Sequence, residues 1–363
     1  MITTTKSGKT GKARLEDVAK AAGVSIATAS RVLSKPHLVK DDVKDRVHHA
    51  IKALDYTPDR IARALSSGKN TTIGAIVPTL GTAVFAEGVE SLQNRLDDLG
   101  YTLLLGNSQY DARKESKQIQ AFLEHGVAGL LLVAGELSPA SLKLIRSSSV
   151  QVVATYMEKS AYGFPAVGID NQAASARLAE HLISLGHREI AIISNTLLSN
   201  ARSSARRDGA MKAMANAGIS LNRDLVIEVD IPTITNGRIA LHRILEASRN
   251  VTAVICTSDA LAVGALAECR SQNIRVPQDM SVTGYDDMEL AAQVDPPLTT
   301  IRIPTREISI AAVDMLMALI SGKTTEQRVE LEAPIVYRDS IAAPRKDTVS
   351  TQRLAEKEHT EYQ

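Results

Sequence analysis

The chain has 363 residues, 44% of them hydrophobic, with 42 Lys+Arg against 41 Asp+Glu for a formal net charge of +1. That length suits two or three domains, and that hydrophobic share suits sizeable cores, so a disordered chain is excluded. A near-zero charge argues against a nucleic-acid partner only if the charge is evenly spread.

It is not evenly spread. Residues 1–69 hold 14 Lys+Arg and 7 Asp+Glu, a balance of +7, which leaves −6 for the remainder. A basic head on a mildly acidic body is the asymmetry of a nucleic-acid-binding module joined to something else. A merely solvated basic surface is the plainer alternative. The first stretch, MITTTKSGKTGK, is polar and basic with no apolar core, so no secretory leader is expected and residues 1–12 read as a disordered arm. The longest apolar runs, such as GLLLVA at 129–134, are strand-sized and far short of the ~18 residues of a membrane span. The two cysteines, Cys256 and Cys269, are too few for a disulfide framework or a four-ligand zinc cluster. They read as buried small hydrophobes, and a cytoplasmic, soluble protein without metal or cofactor is expected. With no Trp and 3% aromatics, a pocket built from many rings is not expected.

Residues 13–58 read as three short helices. Leu15, Val18, Ala19 and Ala22 fall at i, i+3, i+4, i+7, and Gly23 supplies a stop. Ser25 is a good N-cap for a second helix whose inward stripe is Ala29, Val32 and Leu33, ended by Pro36. A third helix starts at Asp41 and Asp42, acids suited to the helix dipole, and buries Val43, Val47, Ala50, Ile51 and Leu54. Helix, Gly turn, helix over 15–34 is a helix-turn-helix pattern, which makes the head an all-α DNA-binding unit. Its second helix is expected in the major groove of double-stranded DNA. Ile26 and Ala27 cannot donate hydrogen bonds, so they suit thymine methyls and shape. Arg31 suits a bidentate contact to guanine or a phosphate contact. Thr28, Ser30, Lys40 and Tyr56 suit backbone contacts that fix register.

The pieces DVAKAAGVS, TASRVL, LDYTPDRIARAL and TTIGAIVP together resemble the lactose-repressor (LacI/GalR) family of bacterial transcriptional regulators, and the likeness runs to about residue 344. The resemblance implies that 59–70 is a hinge helix and linker that forms on DNA and enters the minor groove beside a second copy. Leu65 is then the wedge at the central base step, Ala62 permits close approach, and Arg60 contacts phosphate. On its own terms DRIARAL is too short for a stable isolated helix, which fits a segment that folds on binding.

From 71 to 344 nine short apolar runs alternate with helical stretches: TIGAIVP, YTLLLGNS, GLLLVA, VQVVATY, AVGID, EIAIIS, LVIEV, AVICTS and SVTGYD. This predicts an α/β body. LDDLG-YTLLL and LISLG-HREIAII repeat one joint, with Gly100 and Gly186 as left-handed C-caps, which predicts two similar doubly wound subdomains. Ligands in such folds sit outside the carboxyl ends of strands, here occupied by polar residues including Asn107, Tyr156, Asp170, Asn195, Ser258 and Asp286.

The resemblance implies a periplasmic-binding-protein-like body that binds an effector in a cleft and dimerises. Matched motif by motif, it places Phe85 (GTAVFAE), Tyr156, Arg206 (RRDGA), Ser258 and Asp259 (CTSDALAVGA) and Asp286 (GYDDMELA) at effector-contacting positions. Simpler roles compete: Asp259 and Asp286 are also placed to cap helices, and Arg206 to pair with Asp208 or another carboxylate. A sugar or sugar-acid effector is expected, and an Arg in the cleft tilts it towards a sugar acid or phosphorylated sugar over a neutral sugar. Residues 345–363 are polar and lack Leu heptads, so they read as a disordered tail, and a homodimer on a palindromic operator is expected. A solute-binding protein for sugar uptake is the alternative reading, disfavoured by the basic head. No GxxxxGK[ST], HExxH, GxSxG or CxxC occurs, and no enzyme is expected.

Overall fold

The computed structural model describes residues 13–34, 36–56, 70–133, 137–195 and 200–345. The predicted hinge contacts Arg60, Ala62 and Leu65, the arm at 1–12 and the tail from 346 lie outside the described residues. The chain divides into two compact units, residues 1–71 and 72–363.

The first unit holds α1 (Leu15–Ala21), α2 (Ile26–Ser34), a one-turn helix that sequence reading missed (Pro36–Leu38), and α3 (Asp41–Ala53). Gly23 takes φ +63°, and the Val24 amide reaches back to the Ala19 carbonyl at 3.0 Å, closing α1 as the glycine predicts. Ser25 Oγ accepts from the Thr28 amide at 3.1 Å, so it starts α2 as expected. Val18, Ala22, Val32, Val47 and Ala50 form the core of the head. Leu54 is a correction. It lies one residue past α3, where the helical period no longer aims it inward, and is 36% exposed.

The second unit carries two parallel sheets. One has six strands in the order β11-β5-β4-β3-β1-β2, from β1 (Thr72–Val77), β2 (Thr102–Asn107), β3 (Gly129–Val133), β4 (Gln151–Thr155), β5 (Ala166–Gly168) and β11 (Arg328–Glu330). The other has the order β7-β6-β8-β9, from β6 (Ile190–Asn195), β7 (Val226–Val229), β8 (Ala253–Cys256) and β9 (Ser281–Thr283). The first four strands of each lobe repeat one order, so the two lobes are versions of one doubly wound plan. All nine predicted runs are strands. Gly100 and Gly186 take φ +75° and +106° at the repeated joint.

Sheet membership makes the chain cross between lobes three times. The last two crossings pair as a short antiparallel ribbon, β10 (Thr300–Ile301) with β12 (Ile335–Val336). In the first lobe α4 (Ala83–Asp98) and α12 (Thr305–Ile320) share a core with Ile73, Leu131 and Val153. In the second, α7 (Asn171–Ser184) packs on α8 (Ala201–Asn216), and α9 (Ile234–Ala247) on α10 (Asp259–Ser271). Cys256 and Cys269 are each 1% exposed, and burial pushes the Cys269 thiol up to about 12. Neither is a reactive thiolate. Among the described residues no helix is long and apolar enough to cross a membrane.

Candidate functional site

Parallel strands end together, so the loops after β1, β2, β4, β6, β8 and β9 converge where the lobes face each other. They line a cavity of about 520 Å³, solvent at its mouth included. Thr82, Phe85, Tyr110 and Tyr156 come from the first lobe, Asn195, Asn200, Arg202, Arg206, Thr257 and Ser258 from the second, and Asp286 from a crossing segment.

Arg206 is the most constrained group in it. Its Nε donates to Asn171 Oδ1 at 2.9 Å, and Nη1 donates to the Thr257 carbonyl at 2.8 Å and to Asp286 Oδ1 at 3.2 Å. The guanidinium lies 3.7 Å from the centre of the Tyr285 ring. A buried cation needs such partners, and a planar fork uses them without losing direction. The sequence left Asp208 or another carboxylate open to it, and the structure gives Asp286. Asp208 pairs with Arg207 instead.

Asp286 reaches the cavity at a backbone cost. It has φ +124° and Asp287 has φ +56°, so the crossing turns sharply there. The turn aims Asp286 at Arg206 and Asp287 at Arg302 and Arg338. Burial pushes the Asp286 carboxyl up to about 7, with Arg206 opposing it. Neither competing capping role is filled: the helix beginning at Glu289 has Met288 at its N-cap with no side-chain cap, and Ser258, not Asp259, caps α10. Asp259 Oδ2 accepts from the Met288 amide at 2.8 Å, just before α11 (Glu289–Gln293), and Oδ1 accepts from Thr300 Oγ1 at 2.6 Å.

Both Asp259 oxygens therefore point away from the cleft, the residue is 0% exposed, and it is not among the lining residues. Its place as an effector contact is corrected: it stitches α10 to the crossing segment. Ser258 does line the cavity while its Oγ accepts from the Leu261 amide at 3.4 Å.

Phe85 and Tyr156 meet edge to face, centroids 5.3 Å apart, and the Tyr156 hydroxyl donates to the Val84 carbonyl at 3.3 Å. Tyr156 has φ +66°, a turn that swings its ring back under Phe85. Tyr110 adds a third ring to the lining. Three of the chain's few rings are thus gathered in the lining. Sequence reading also missed Arg202, whose guanidinium carbon is 5.4 Å from the Phe85 centroid. Its spacing of four from Arg206 was the available signal, since i and i+4 share a helix face. Among the described residues no His/Cys/Asp/Glu group is placed to hold a metal.

In the head, Ile26 is 49% exposed on the first turn of α2, and Ala27 and Arg31 are exposed on the same helix. Thr28 and Ser30 are half-buried, Thr28 bonding Ser25 through its hydroxyl at 2.9 Å. Lys40 is exposed at the start of α3, and Tyr56 is half-buried against the head core.

Residues 14–59 match the model for bacterial regulatory proteins of the lacI family, and 179–341 match that for a periplasmic binding protein-like domain. An HTH-type transcriptional repressor, PurR, of Erwinia tasmaniensis is 34% identical over 333 residues, covering 91% of this chain and 97% of the relative. Among solved structures, the lac repressor dimer bound to operator and the anti-inducer ONPF superposes with a TM-score of 0.82 at 25% identity, covering 92% of this chain and all of that one. The transcriptional regulator CelR in its cellobiose complex gives 0.67 at 28%, covering 90% and 99%.

Proposed function

The chain belongs to the lacI family of bacterial regulatory proteins, and from that premise we propose that it represses transcription from a palindromic operator under the control of a small sugar or sugar acid held in its cleft. The observation that carries the effector half is the Arg206–Asp286 pair, donors and acceptors fixed side by side in a cavity lined from both lobes. A polyhydroxylated ligand needs that alternation of donors and acceptors. The similar regulator solved as a cellobiose complex supports a sugar-like ligand. Three rings in the lining favour a second reading, a flat heterocycle stacked in the same place.

The DNA half rests on α2. Ile26, Ala27 and Arg31 stand exposed along it, and a small-residue helix face with one Arg suits close approach to base edges. Two copies present two such helices to two half-sites, so the working form is a homodimer acting in the cytoplasm. Ligand binding between the lobes changes their relative disposition, and through it the spacing of the paired heads. A transporter's solute-binding protein would account for the body and leave the DNA-binding head without a use.

Selection of full-length protein on a pool of random duplexes tests this reading. The expected product is a two-fold symmetric consensus with half-sites about one helical turn apart. Recovery of a pool no different from the input overturns it.

A further inference from the structure

Buried polar side-chain atoms are nearly always hydrogen-bonded, so one that is not asks for an explanation. Two such atoms belong to residues that line the cavity, one from each lobe. They are Thr82 Oγ1 and Asn195 Nδ2, both withdrawn from water and without a hydrogen-bond partner among the described residues. Asn195 is 2% exposed at the end of β6. Its backbone amide donates to Ser203 Oγ at 3.3 Å, while its side-chain amide donates to nothing described. Thr82 stands at the N-cap of α4 with φ −119° and ψ 140°, the conformation from which a threonine hydroxyl ordinarily accepts from an amide of the first turn. It makes no such bond. Its hydroxyl is used neither by the helix nor by solvent.

Resting on the effector reading above, we propose that Thr82 and Asn195 are the contacts by which each lobe holds the ligand, a polyhydroxylated molecule that offers an oxygen acceptor to the Asn195 amide and a hydroxyl to Thr82 Oγ1. The chemistry of the two open atoms sets the class. The Asn195 amide nitrogen can only donate, whereas the Thr82 hydroxyl can donate and accept. A ligand hydroxyl does both, so it answers either atom, and the Asp286 carboxyl in the same lining is a further acceptor. A ring that carries hydroxyls around its rim reaches both lobes at once. A ligand that meets one lobe alone leaves the other atom unmet. The free protein bears the desolvation of both atoms, and the complex recovers it, so the two positions add to affinity without adding to the stability of the empty fold. A molecule bonded to both lobes also favours the arrangement that keeps them close, which is the differential affinity a ligand-driven change requires.

The test has a ligand-free arm and a ligand arm, both on the full chain. Thr82→Val and Asn195→Leu keep the shape of the side chain and remove the open atom. Without ligand, each is expected to melt at or above the parent's midpoint, because an unmet buried polar atom gives way to an apolar one. A helix cap or an internal hydrogen bond lost at either place would instead lower the midpoint by several degrees. The ligand arm is calorimetry with D-glucose, D-ribose, cellobiose, D-gluconate and adenine, the last a flat heterocycle without hydroxyls. At least one of the four polyhydroxylated compounds is expected to bind the parent. Each variant should bind it ~10-fold more weakly, and Thr82→Ser should restore the parent's affinity. The proposal is overturned if either variant melts several degrees below the parent, if either binds the compound like the parent, or if none of the four binds. A sugar that binds through both residues and leaves operator affinity unchanged would sink the regulatory reading above and leave this one standing. A sugar that shifts operator affinity equally in parent and variants would do the reverse.

Discussion

Glu268 and Asp286 are both withdrawn from water, and their surroundings push their ionisation in opposite directions. Glu268 is 3% exposed on α10, and burial alone would raise its pKa. Hydrogen bonds from His242, Gln272, Arg238 and Ser271 at 2.9–3.0 Å outweigh burial and hold it down to about 2. A depressed acid stabilises the fold above its ordinary value of 4.5, and that stability is lost as pH falls from there towards about 2. Glu268→Gln should therefore lower stability by ~2–3 kcal/mol at pH 7 and flatten the acid limb of thermal melts. An acid limb like the parent's would contradict the network. For Asp286 the sign reverses. Its raised value favours the fold at low pH, with the benefit lost as pH rises from about 4 through about 7, and Asp286→Asn should remove that slope from the melts. In the head, Arg31→Ala should cut affinity for the selected operator by ~10- to 100-fold and for unrelated DNA far less, as competition titrations will show. Equal losses would remove base readout. The family resemblance placed Arg206, Phe85, Tyr156, Ser258 and Asp286 on the cavity lining, and of these Tyr156, Ser258 and Asp286 were also legible as polar ends of alternating apolar runs. The resemblance misplaced Asp259, because sequence does not record which way a carboxylate turns at a helix start, and here Thr300, 41 residues away, decides it.

Among the elements, helix crossings in the second lobe depend on the absence of side chains. A Cβ on Gly264 would come within 2.1 Å of the Ile234 carbonyl oxygen, and one on Gly237 within 2.2 Å of that of Leu261. The two glycines face each other's helices, which lets α9 and α10 meet backbone to backbone. Neither contact can be relieved by rotating a side chain. Gly264→Ala should cost ~3 kcal/mol and lower the melting midpoint by several degrees, while Gly218→Ala, whose added Cβ meets nothing, pays only for its φ of +71°. Equal shifts would refute the close-packing account. Strands and repeated joints were legible from periodicity and from Leu-Gly stops. The Pro36–Leu38 turn and the pairing of β10 with β12 were not, because a three-residue element carries no period and the pairing joins positions about 35 apart.

Over the whole molecule, +1 is the sum of a head at +7 and a remainder at −6. The head's excess should make DNA affinity fall by about three to five orders of magnitude between ~50 and ~200 mM salt, if a dimer makes about 6–10 phosphate contacts. A flat salt dependence would mean that the basic head does not lie on DNA. The division of labour itself was visible in the sequence, because charge asymmetry and the change from helical to alternating pattern fall at the same place. The cavity was not, because its lining is assembled from segments far apart in the chain that only the fold brings together.

Coupling between cleft and head is what would make this protein a ligand-controlled repressor. The decisive measurement is a fluorescence-anisotropy titration of one selected operator duplex and one scrambled duplex, each with and without saturating cleft ligand. A change of ~10-fold or more in operator affinity is predicted, with little change for the scrambled duplex, and the operator must alter ligand affinity by the same factor. Identical operator curves with and without a ligand known to occupy the cleft would contradict it.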